Sequence, residues 1–276
     1  MKYIPLLLLL GAAVWCFWYY HNKTVVTTCH TLQKNIQSPI KILQLSDLHG
    51  VVFGRDNAPL VKIIQAQKPD LIVITGDSIS YSVQADTAEK LFAACAKAAL
   101  TVVIPGNHER KHGLLNLLKD TCAKTGCVYL QNEIASLLVK GQLVHVLGLC
   151  ETQATYNGFF GALHIRPPKE NHAHLFERLA NREGLHIVLS HYPENFKAIG
   201  TKSYNQYPFD IMFSGHAHGG QGRLFGQGVI APGQGFFPRY TAGVHDDRLV
   251  ISRGLGNSSV PLRVFNRPEV VVVEVK

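Results

Sequence analysis

Five short segments of the sequence carry side chains of types that can bind metal ions, and each segment follows an apolar run. The candidate ligands are Asp47, His49, Asp77, Asn107, His191, His216 and His218, with His108 beside them. Carboxylate oxygens, imidazole nitrogens and an amide oxygen form a mixed set of donors. Such a set is more typical of a site for Mn, Fe or Zn than of a thiolate site or a site for Mg alone. The residue types therefore indicate metal-assisted chemistry, and no G-x-S-x-G nucleophile motif competes with that interpretation.

The spacing of these residues suggests how two ions would be shared. Asp47 and His49 lie two positions apart in an extended segment, so their side chains face the same side and can chelate one ion. His216 and His218 have the same spacing in a Gly-flanked loop, which can point them at different ions. Two cations about 3.5–4 Å apart need a shared anion. Asp77 is the candidate for that bridging carboxylate.

Each fragment also has a simpler explanation. An Asp-x-His sequence is commonly a pair of solvated side chains, a Gly-Asp pair is usually a turn, and a single histidine such as His191 more often has a structural role. Asn107 alone fits the N-cap of a helix. The fragments nevertheless occur in order, each at the end of a predicted strand, where open α/β sheets bind ligands. Their joint placement favours one site.

The segments that must position these side chains alternate between strands and helices. Apolar runs predict strands over 41–45, 71–75 and 101–104, separated by helices over 60–67 and 85–98. The later elements predicted are, in order, a hairpin over 136–150, a helix over 172–179, and strands over 185–189, 210–213 and 269–275. This order predicts an α/β fold in which two packed mixed β-sheets are flanked by helices.

The N-terminal segment predicts a membrane anchor. Residues 3–20 are uncharged and almost wholly apolar, and a helix of this length spans about 27 Å, close to the hydrocarbon thickness of a bilayer. The alternative is a cleaved signal peptide, but Trp15 and Trp18 occupy the region where a small-x-small cleavage site would lie. We therefore predict a single-pass transmembrane helix within 1–23, a linker over 24–40 and one large domain over 41–276.

The charge distribution bears on membrane orientation and on partners. The formal net charge is +8; Lys23, Lys34 and Lys41 follow the apolar segment, whereas only Lys2 and the α-amine precede it. Since positive residues favour the cytoplasmic side, the large domain is predicted to lie in the cytoplasm. The lysines are spread out without interleaved aromatic residues, which disfavours a nucleic-acid-binding patch.

The five segments together resemble the blocks of the calcineurin-like metallophosphoesterases. The matching segments are Asp47-Leu48-His49, Gly76-Asp77, Gly106-Asn107-His108-Glu109, Ser190-His191 and Gly215-His216-Ala217-His218. The resemblance covers residues 41 to about 276 and implies a sandwich of two sheets flanked by helices.

The same resemblance implies a role for each candidate. Asp47, His49 and His218 would hold one divalent ion, and Asn107, His191 and His216 would hold the other. Asp77 would bridge the two ions. His108 would be catalytic, acting on the leaving side of the reaction rather than as a ligand.

The implied reaction is hydrolysis of a phosphodiester or pyrophosphate bond by metal-activated hydroxide. Gln221, with residues 253–256 and 266–269, is similar to a membrane-anchored bacterial branch whose enzymes cleave UDP-2,3-diacylglucosamine. An amphipathic substrate, either lipid-linked or a nucleotide diphosphate sugar, is therefore one interpretation. Arg253, before a Gly-rich turn, and Arg110, beside the catalytic block, are candidates for gripping phosphate. A solvated surface arginine explains either of them equally well.

Two other functions are open from the sequence. The first is a phosphodiesterase that acts on nucleotides or nucleic acid, for which weak and strongly salt-dependent binding of single-stranded DNA is the marker. The second is a membrane-tethered scaffold that keeps metals for folding and does no chemistry. A full ligand set beside the non-ligand His108 favours an enzyme over the scaffold.

Overall fold

The computed structural model describes residues 3–153, 155–157, 164–166, 169–197, 203–257 and 262–276. The helices are α1 (Ile4–Lys23), α2 (Ala58–Gln67), α3 (Ala85–Ala98), α4 (Asn107–Lys111), α5 (Leu115–Thr125) and α6 (Ala173–Ala180). The strands are β1 (Val26–Leu32), β2 (Ile40–Leu45), β3 (Leu71–Thr75), β4 (Leu100–Ile104), β5 (Val128–Tyr129), β6 (Glu133–Val139), β7 (Gln142–Gly148), β8 (Thr155–Asn157), β9 (His164–Arg166), β10 (Leu185–Leu189), β11 (Ile211–Ser214), β12 (Arg223–Leu224), β13 (Gln227–Gly228), β14 (Ile230–Ala231), β15 (Gly235–Phe236), β16 (Gly243–His245), β17 (Leu249–Ile251) and β18 (Glu269–Val275).

The first large sheet contains the predicted β-α-β-α-β unit. Its strand order is β1-β18-β2-β3-β4-β5. Strands β2 to β5 run parallel, and β18 runs antiparallel to β2. Helices α2 and α3 connect the parallel strands, so the carboxyl ends of β2, β3 and β4 lie at one edge of the sheet.

Part of the segment predicted to be a linker belongs to this sheet. Strand β1 runs parallel to β18, from Val26 opposite Glu269 to Leu32 opposite Val275. The linker prediction over 24–40 is therefore corrected for these seven residues. Half-buried and exposed side chains alternate along β1, as in an edge strand. Its partner lies at the other end of the chain, so no local pattern revealed the pairing.

The second large sheet has the order β16-β17-β11-β10-β7-β6. Strands β7, β10, β11 and β17 are parallel, and the predicted hairpin is formed by β6 and β7. Lys140 and Gly141 form its turn, and both have positive φ angles, 50° and 78°. A two-residue type I′ turn needs this combination.

The two sheets pack face to face, and helices cover their outer faces. Along β3, Val73 belongs to the core between the sheets, whereas Ile74 packs with Phe92 of α3 on the outer side. On the opposite outer face, Val188 of β10 packs with Phe176 of α6. Strands buried on both faces explain the unbroken apolar runs of the sequence. The predicted α/β fold, two mixed sheets flanked by helices, is confirmed.

Helix α1 stands apart from this core. It is 20 residues long, has a mean hydropathy of 1.5 over its most apolar window, and only 6% of that window is buried. Within the described ranges it is the one helix long and apolar enough to cross a membrane. Its last turn differs, because His21 and Asn22 are buried against the domain.

Candidate metal centre

The candidate ligands converge where the carboxyl ends of parallel strands from both sheets meet. Asp47 and His49 follow β2, Asp77 follows β3, and Asn107 begins α4 directly after β4. From the second sheet, the candidates are His191 after β10, and His216 and His218 after β11. All of them are buried except the half-buried Asn107. The structure thus brings together every residue that the sequence predicts as a ligand.

One group consists of Asp47, His49 and His218, whose ligand atoms all lie within 4.8 Å of one another. The Nε2 atom of His49 lies 3.3 Å from Nε2 of His218. The latter atom lies 3.6 Å from Oδ1 of Asp47. Two ring nitrogens that face each other at such a distance need a proton or a cation between them.

A second group consists of Asp77, His191 and His216, which meet the same 4.8 Å distance. The Nε2 atom of His191 lies 3.2 Å from Nδ1 of His216 and 3.4 Å from Oδ2 of Asp77. The amide oxygen of Asn107 is 3.1 Å from the same nitrogen. The second group therefore combines carboxylate, imidazole and amide donors around one point.

Asp77 is shared by the two groups. Its Oδ2 atom lies 3.4 Å from Nε2 of His191 and 3.6 Å from Nε2 of His49. Its other oxygen, Oδ1, accepts the backbone N–H of His108 at 2.8 Å. One carboxylate therefore faces imidazoles from both sheets with a single oxygen.

Hydrogen bonds on the far side of the rings orient the nitrogens that face the cluster. The Nδ1 atom of His191 donates to the carbonyl oxygen of Thr75 at 2.7 Å, which leaves Nε2 directed at the cluster. The Nδ1 atom of His49 lies 2.7 Å from the hydroxyl of Ser80. Such outer partners fix the ring orientation of histidine ligands in metal sites.

Burial and proximity shift the pKa values of the cluster. Burial lowers the pKa of His49 to about 4 and that of His218 well below its ordinary value, so both rings are neutral at pH 7. Burial also opposes protonation of His191, but the carboxylates of Asp77 and Asp47 raise its pKa to about 10. A proton on His191 thus balances the buried carboxylates, and a divalent cation would displace that proton.

The loops that hold the candidates have an unusual backbone. Five of the seven have positive φ angles: Asp47 (51°), His49 (47°), Asp77 (53°), His216 (63°) and His218 (46°). Residues other than glycine seldom adopt this left-handed region, and those that do concentrate at functional sites. The strained backbone is thus an independent sign of a site.

Glu109 is a residue of the site to which the sequence reasoning assigned no role. It is completely buried. Its carboxylate accepts backbone N–H groups at 3.1, 2.6, 2.9 and 2.9 Å from Asp77, Ser78, Ile79 and Gly106. Burial, together with the nearby Asp77 carboxylate, raises the pKa of Glu109 to about 7, and the backbone N–H groups of Ile79 and Gly106 oppose the rise. A glutamate at the third position of a short helix, where it can bond the N-cap residue, is the signal that could have revealed it.

Gly76 lets the loops of the two sheets approach each other. Its φ is 90°, and a Cβ atom at this position would lie 2.7 Å from Nδ1 of His191 and 2.7 Å from Cα of Gly106. Glycine therefore satisfies both the backbone angle and the close contact that bring Asp77 next to His191.

His108 borders the cluster. Its ring centroid lies 4.6 Å from that of His49 and 5.3 Å from that of His112. His49, Asp77 and His108 form a third group within 4.8 Å. Burial lowers the pKa of His108, although Asp77 opposes this shift. The half-buried ring therefore lies at the edge of the place that a cation would occupy.

The two arginines predicted to grip phosphate both form ion pairs. The Nη2 atom of Arg253 lies 2.9 Å from Oε1 of Glu269, and Nη2 of Arg110 lies 2.7 Å from Oε1 of Glu170. The Arg253 side chain is 18% exposed and that of Arg110 is 38% exposed. A substrate phosphate would therefore compete with a carboxylate for either guanidinium.

The donor set fits divalent cations. Imidazole nitrogens and carboxylate oxygens face one another at 3.2–3.6 Å, as they would around shared ions. The Nδ1 atom of His218 is buried and has no hydrogen-bond partner within the described part of the chain. Cysteines take no part in the groups of potential ligands found among the described residues. The set thus consists of imidazole, carboxylate and amide donors, which are ligands of divalent cations.

Comparison with known proteins gives this cluster a context. The family model for calcineurin-like phosphoesterases matches residues 40–220 of the chain. The chain belongs to this family. It is 30% identical to phosphodiesterase YaeI of Escherichia coli (strain K12) in an alignment 262 positions long, which covers 87% of this chain and 84% of YaeI. Uncharacterized metallophosphoesterase YkuE of Bacillus subtilis (strain 168) is 28% identical in an alignment 276 positions long, which covers 94% of this chain and 88% of YkuE.

Among solved structures, TT1561 of Thermus thermophilus covers 64% of this chain and 82% of its own, with a TM-score of 0.45 and 14% identity. Family membership makes this calcineurin-like phosphoesterase a metal-dependent hydrolase of phosphoric esters.

Proposed function

We propose that this phosphoesterase uses two metal ions, is anchored by α1, and hydrolyses a phosphodiester or pyrophosphate bond. The observation that carries the proposal is the position of Asp77. Its Oδ2 atom lies within 3.6 Å of imidazole nitrogens from His49 and His191, which belong to different groups. A carboxylate oxygen in this position supports a bridging role between two ions.

The ligands divide by group. Asp47, His49 and His218 would hold the first ion, and Asn107, His191 and His216 the second. When bound, two Mn, Fe or Zn ions would lower the pKa of a water molecule and offset the charge of a phosphoryl group. The part played by the chain is to keep the rings of His49 and His218 neutral by burial, and to fix Asp77 through Glu109.

His108 is the residue proposed to act on the leaving oxygen. Its ring lies against His49 and is only half-buried, so it adjoins the cluster and still faces the approach of a substrate. Because burial lowers its pKa, the neutral ring offers one N–H to that oxygen at pH 7. Arg110 and Arg253 are proposed as contacts to other phosphate oxygens, reached by exchange with their carboxylate partners.

The substrate is proposed to be amphipathic. Helix α1 would hold the domain at a bilayer, and the lysines that follow it favour the cytoplasmic side. A lipid-linked pyrophosphate, or a nucleotide diphosphate sugar that carries acyl chains, combines a phosphate bond with a membrane location. The resemblance to the branch that cleaves UDP-2,3-diacylglucosamine supports this class, and the name of the relative YaeI supports a phosphodiester bond.

Hydrolysis of bis-p-nitrophenyl phosphate by the purified full chain with Mn²⁺ tests the catalytic part. Activity should disappear with a chelator and return with metal, and elemental analysis should find two ions per chain. Folded, metal-loaded protein without activity would identify the scaffold alternative instead. A panel of lipid-linked pyrophosphates, nucleotide diphosphate sugars and cyclic nucleotides then ranks substrates, while salt-dependent binding of single-stranded DNA would favour the nucleic-acid alternative.

The anchor has a separate test. The full chain should stay in the membrane pellet after alkaline carbonate extraction, and mass spectrometry should find residues 3–20 still present. A mature chain that lacks this segment would identify a cleaved signal peptide.

A further inference from the structure

An exposed apolar surface lies next to the end of α1. It consists of the side chains of Leu224, Phe225, Phe236, Phe237, Leu262 and Phe265, each at least 41% exposed, and we name it the aromatic face. Six large apolar side chains in three neighbouring segments form a patch of the kind that marks an interaction site. Isolated exposed apolar residues would need no such explanation.

Backbone hydrogen bonds join the three segments into one layer. The N–H of Arg223 donates to the carbonyl of Val264 at 3.0 Å, so the β12–β13 hairpin lies against the segment that carries Leu262 and Phe265. Val229 donates to Gly222 at 2.9 Å, and Phe237 donates to Val229 at 2.8 Å. The three segments that carry the aromatic face therefore belong to one connected layer.

Three phenylalanines of this face have a strained backbone. Phe225, Phe237 and Phe265 have φ angles of 50°, 49° and 52°. Phe225 and Gly226 form the two-residue turn between β12 and β13, where Asn-Gly or Asp-Gly is the favoured pair. A fully exposed phenylalanine at this position adds strain and no packing in water. Such strain indicates a functional requirement rather than a folding one.

The position of α1 sets the depth of the aromatic face. The ring of Phe265 lies 5.7 Å from Phe17 and 5.3 Å from His21. Phe17 belongs to the apolar run of α1, more than a turn before the helix ends at Lys23. A residue in contact with Phe17 therefore lies at the depth of the apolar run when α1 crosses a bilayer. The guanidinium of Arg267 lies 4.5 Å from the ring of Tyr20, closer to the end of the helix.

We propose that the aromatic face inserts into the interfacial layer of the bilayer that α1 crosses. The proposal rests on the membrane anchoring inferred above, and not on the reaction. The transfer of phenylalanine and leucine side chains from water into this layer lowers the free energy. The exposed side chains of the face thereby become partners of the lipid.

The charges around the face complement anionic headgroups. Residues 211–245 contain no Asp or Glu, but they contain Arg223 and Arg239. Residues 262–268 also contain no Asp or Glu, and Arg267 lies beside Tyr20. Basic residues near an anionic leaflet strengthen membrane contact. A bilayer is therefore a better partner for this face than an apolar protein surface.

The same layer is joined to the metal centre. The side-chain amide of Asn266, next to Phe265, donates to the carbonyl oxygen of His218 at 2.7 Å. Insertion of the aromatic face would hold the His218 loop beside the headgroup layer. The phosphate of a membrane-borne substrate is found in that layer.

The experiment places an environment-sensitive fluorophore on the full chain in vesicles of phosphatidylcholine and phosphatidylglycerol. The label is attached to Phe225→Cys, in a background where Cys16, Cys29 and Cys150 are replaced by alanine. The matched control is Leu138→Cys, which is 70% exposed and lies on β6, beside the hairpin turn at the amino-terminal ends of the parallel strands. Neither position belongs to the proposed catalytic machinery, so both labelled chains should hydrolyse bis-p-nitrophenyl phosphate at the unlabelled rate.

The label at 225 should show blue-shifted emission and quenching by a nitroxide on the lipid acyl chain, whereas the label at 138 should be quenched only by aqueous iodide. Equal iodide quenching at both positions in chains that float with the vesicles would overturn the proposal. Chains that do not float would refute the anchor and the aromatic-face proposal together, while hydrolysis of the soluble ester would still test the reaction.

A second variant separates membrane contact from packing. Phe225→Asn should keep or raise the thermal midpoint in detergent, because Asn suits the turn better than Phe. A marked fall in the midpoint would show that Phe225 packs within the protein and would count against the proposal.

Discussion

The carboxylate of Glu109 accepts the backbone N–H of Asp77 at 3.1 Å, and both residues are almost completely buried. Glu109 follows β4 and Asp77 follows β3, so this bond ties together the loops of neighbouring strands. Because Glu109 has no exposed surface, its proposed role is to position Asp77 rather than to contact a substrate. The geometry of the proposed bridging carboxylate thus depends on a second carboxylate behind it.

Glu109→Gln should lower both stability and metal affinity. The amide places an NH₂ group among backbone N–H donors, which leaves buried donors unsatisfied at a cost of about 1–3 kcal/mol. Urea unfolding and Mn²⁺ titration measure the two effects. Glu89→Gln is the control, since the Glu89 carboxylate is 43% exposed and pairs with Lys124 on the surface. Wild-type metal affinity in Glu109→Gln would refute its positioning role.

Substitution at Asp77 and at His108 should separate binding from chemistry. Asp77→Asn should abolish hydrolysis and lower the metal content, because an amide is a poor bridge between two cations. His108→Ala should keep the metal content of the wild type and lower kcat by about 10²- to 10³-fold, the usual cost of removing one hydrogen-bond donor to a developing negative charge. Elemental analysis beside kinetics distinguishes the two. Loss of metal from the His108→Ala variant would show that His108 is a metal ligand.

Metal affinity should rise with pH. In the metal-free protein the carboxylates of Asp77 and Asp47 overcome burial and raise the pKa of His191 to about 10, so binding must release that proton at lower pH. One released proton corresponds to about a tenfold gain in affinity per pH unit. The plot of the logarithm of metal affinity against pH should steepen below about pH 6. Burial raises the pKa of Asp47 to about 6, so below that pH metal binding must displace a second proton, from Asp47. Calorimetry of metal binding in buffers of different ionisation enthalpy measures the number of protons released. A metal affinity that does not change with pH would contradict the prediction.

Glu194→Gln should remove a loss of stability at alkaline pH. Burial raises the pKa of Glu194 from 4.5 to about 8. Between these values the folded chain holds a proton that the unfolded chain has released, so the free energy of unfolding falls as pH rises through this window. The glutamine side chain of the variant cannot ionise. The free energy of unfolding of the variant should therefore rise relative to that of the wild type from about pH 5 to about pH 9. Urea unfolding against pH tests this, with exposed Glu133→Gln as a control that should keep the wild-type slope.

Sequence patterns predicted the strands that are buried on both faces and the helix that covers them with one apolar face. Strands over 71–75 and 185–189 and the helix over 85–98 match β3, β10 and α3, because apolar runs and helical periodicity are local properties. The placement of Asp77 and His191 at strand ends also followed from the sequence. Parallel strands carry their ends to one edge, so the meeting of the predicted ligands required no knowledge of distances.

Non-local and strained features were beyond such reasoning. The pairing of β1 with β18 joins residues about 240 positions apart, and a half-exposed edge strand has no strong apolar run. The positive φ angles of Asp47 and His218 arise from tertiary packing rather than from residue type. The ion pairs of Arg110 and Arg253 likewise depend on Glu170 and Glu269, which are distant in sequence.

The short connection after α1 limits how the protein can move. Only Thr24 and Val25 separate α1 from β1, and β1 is bonded to β18 along its length. The domain is therefore not joined to the helix by a flexible linker. In the proposed membrane-bound state, a change in the tilt of the helix would change the orientation of the metal centre by the same angle. The enzyme would then search for substrate by lateral diffusion in two dimensions, and the tilt of one helix would set the height at which it works.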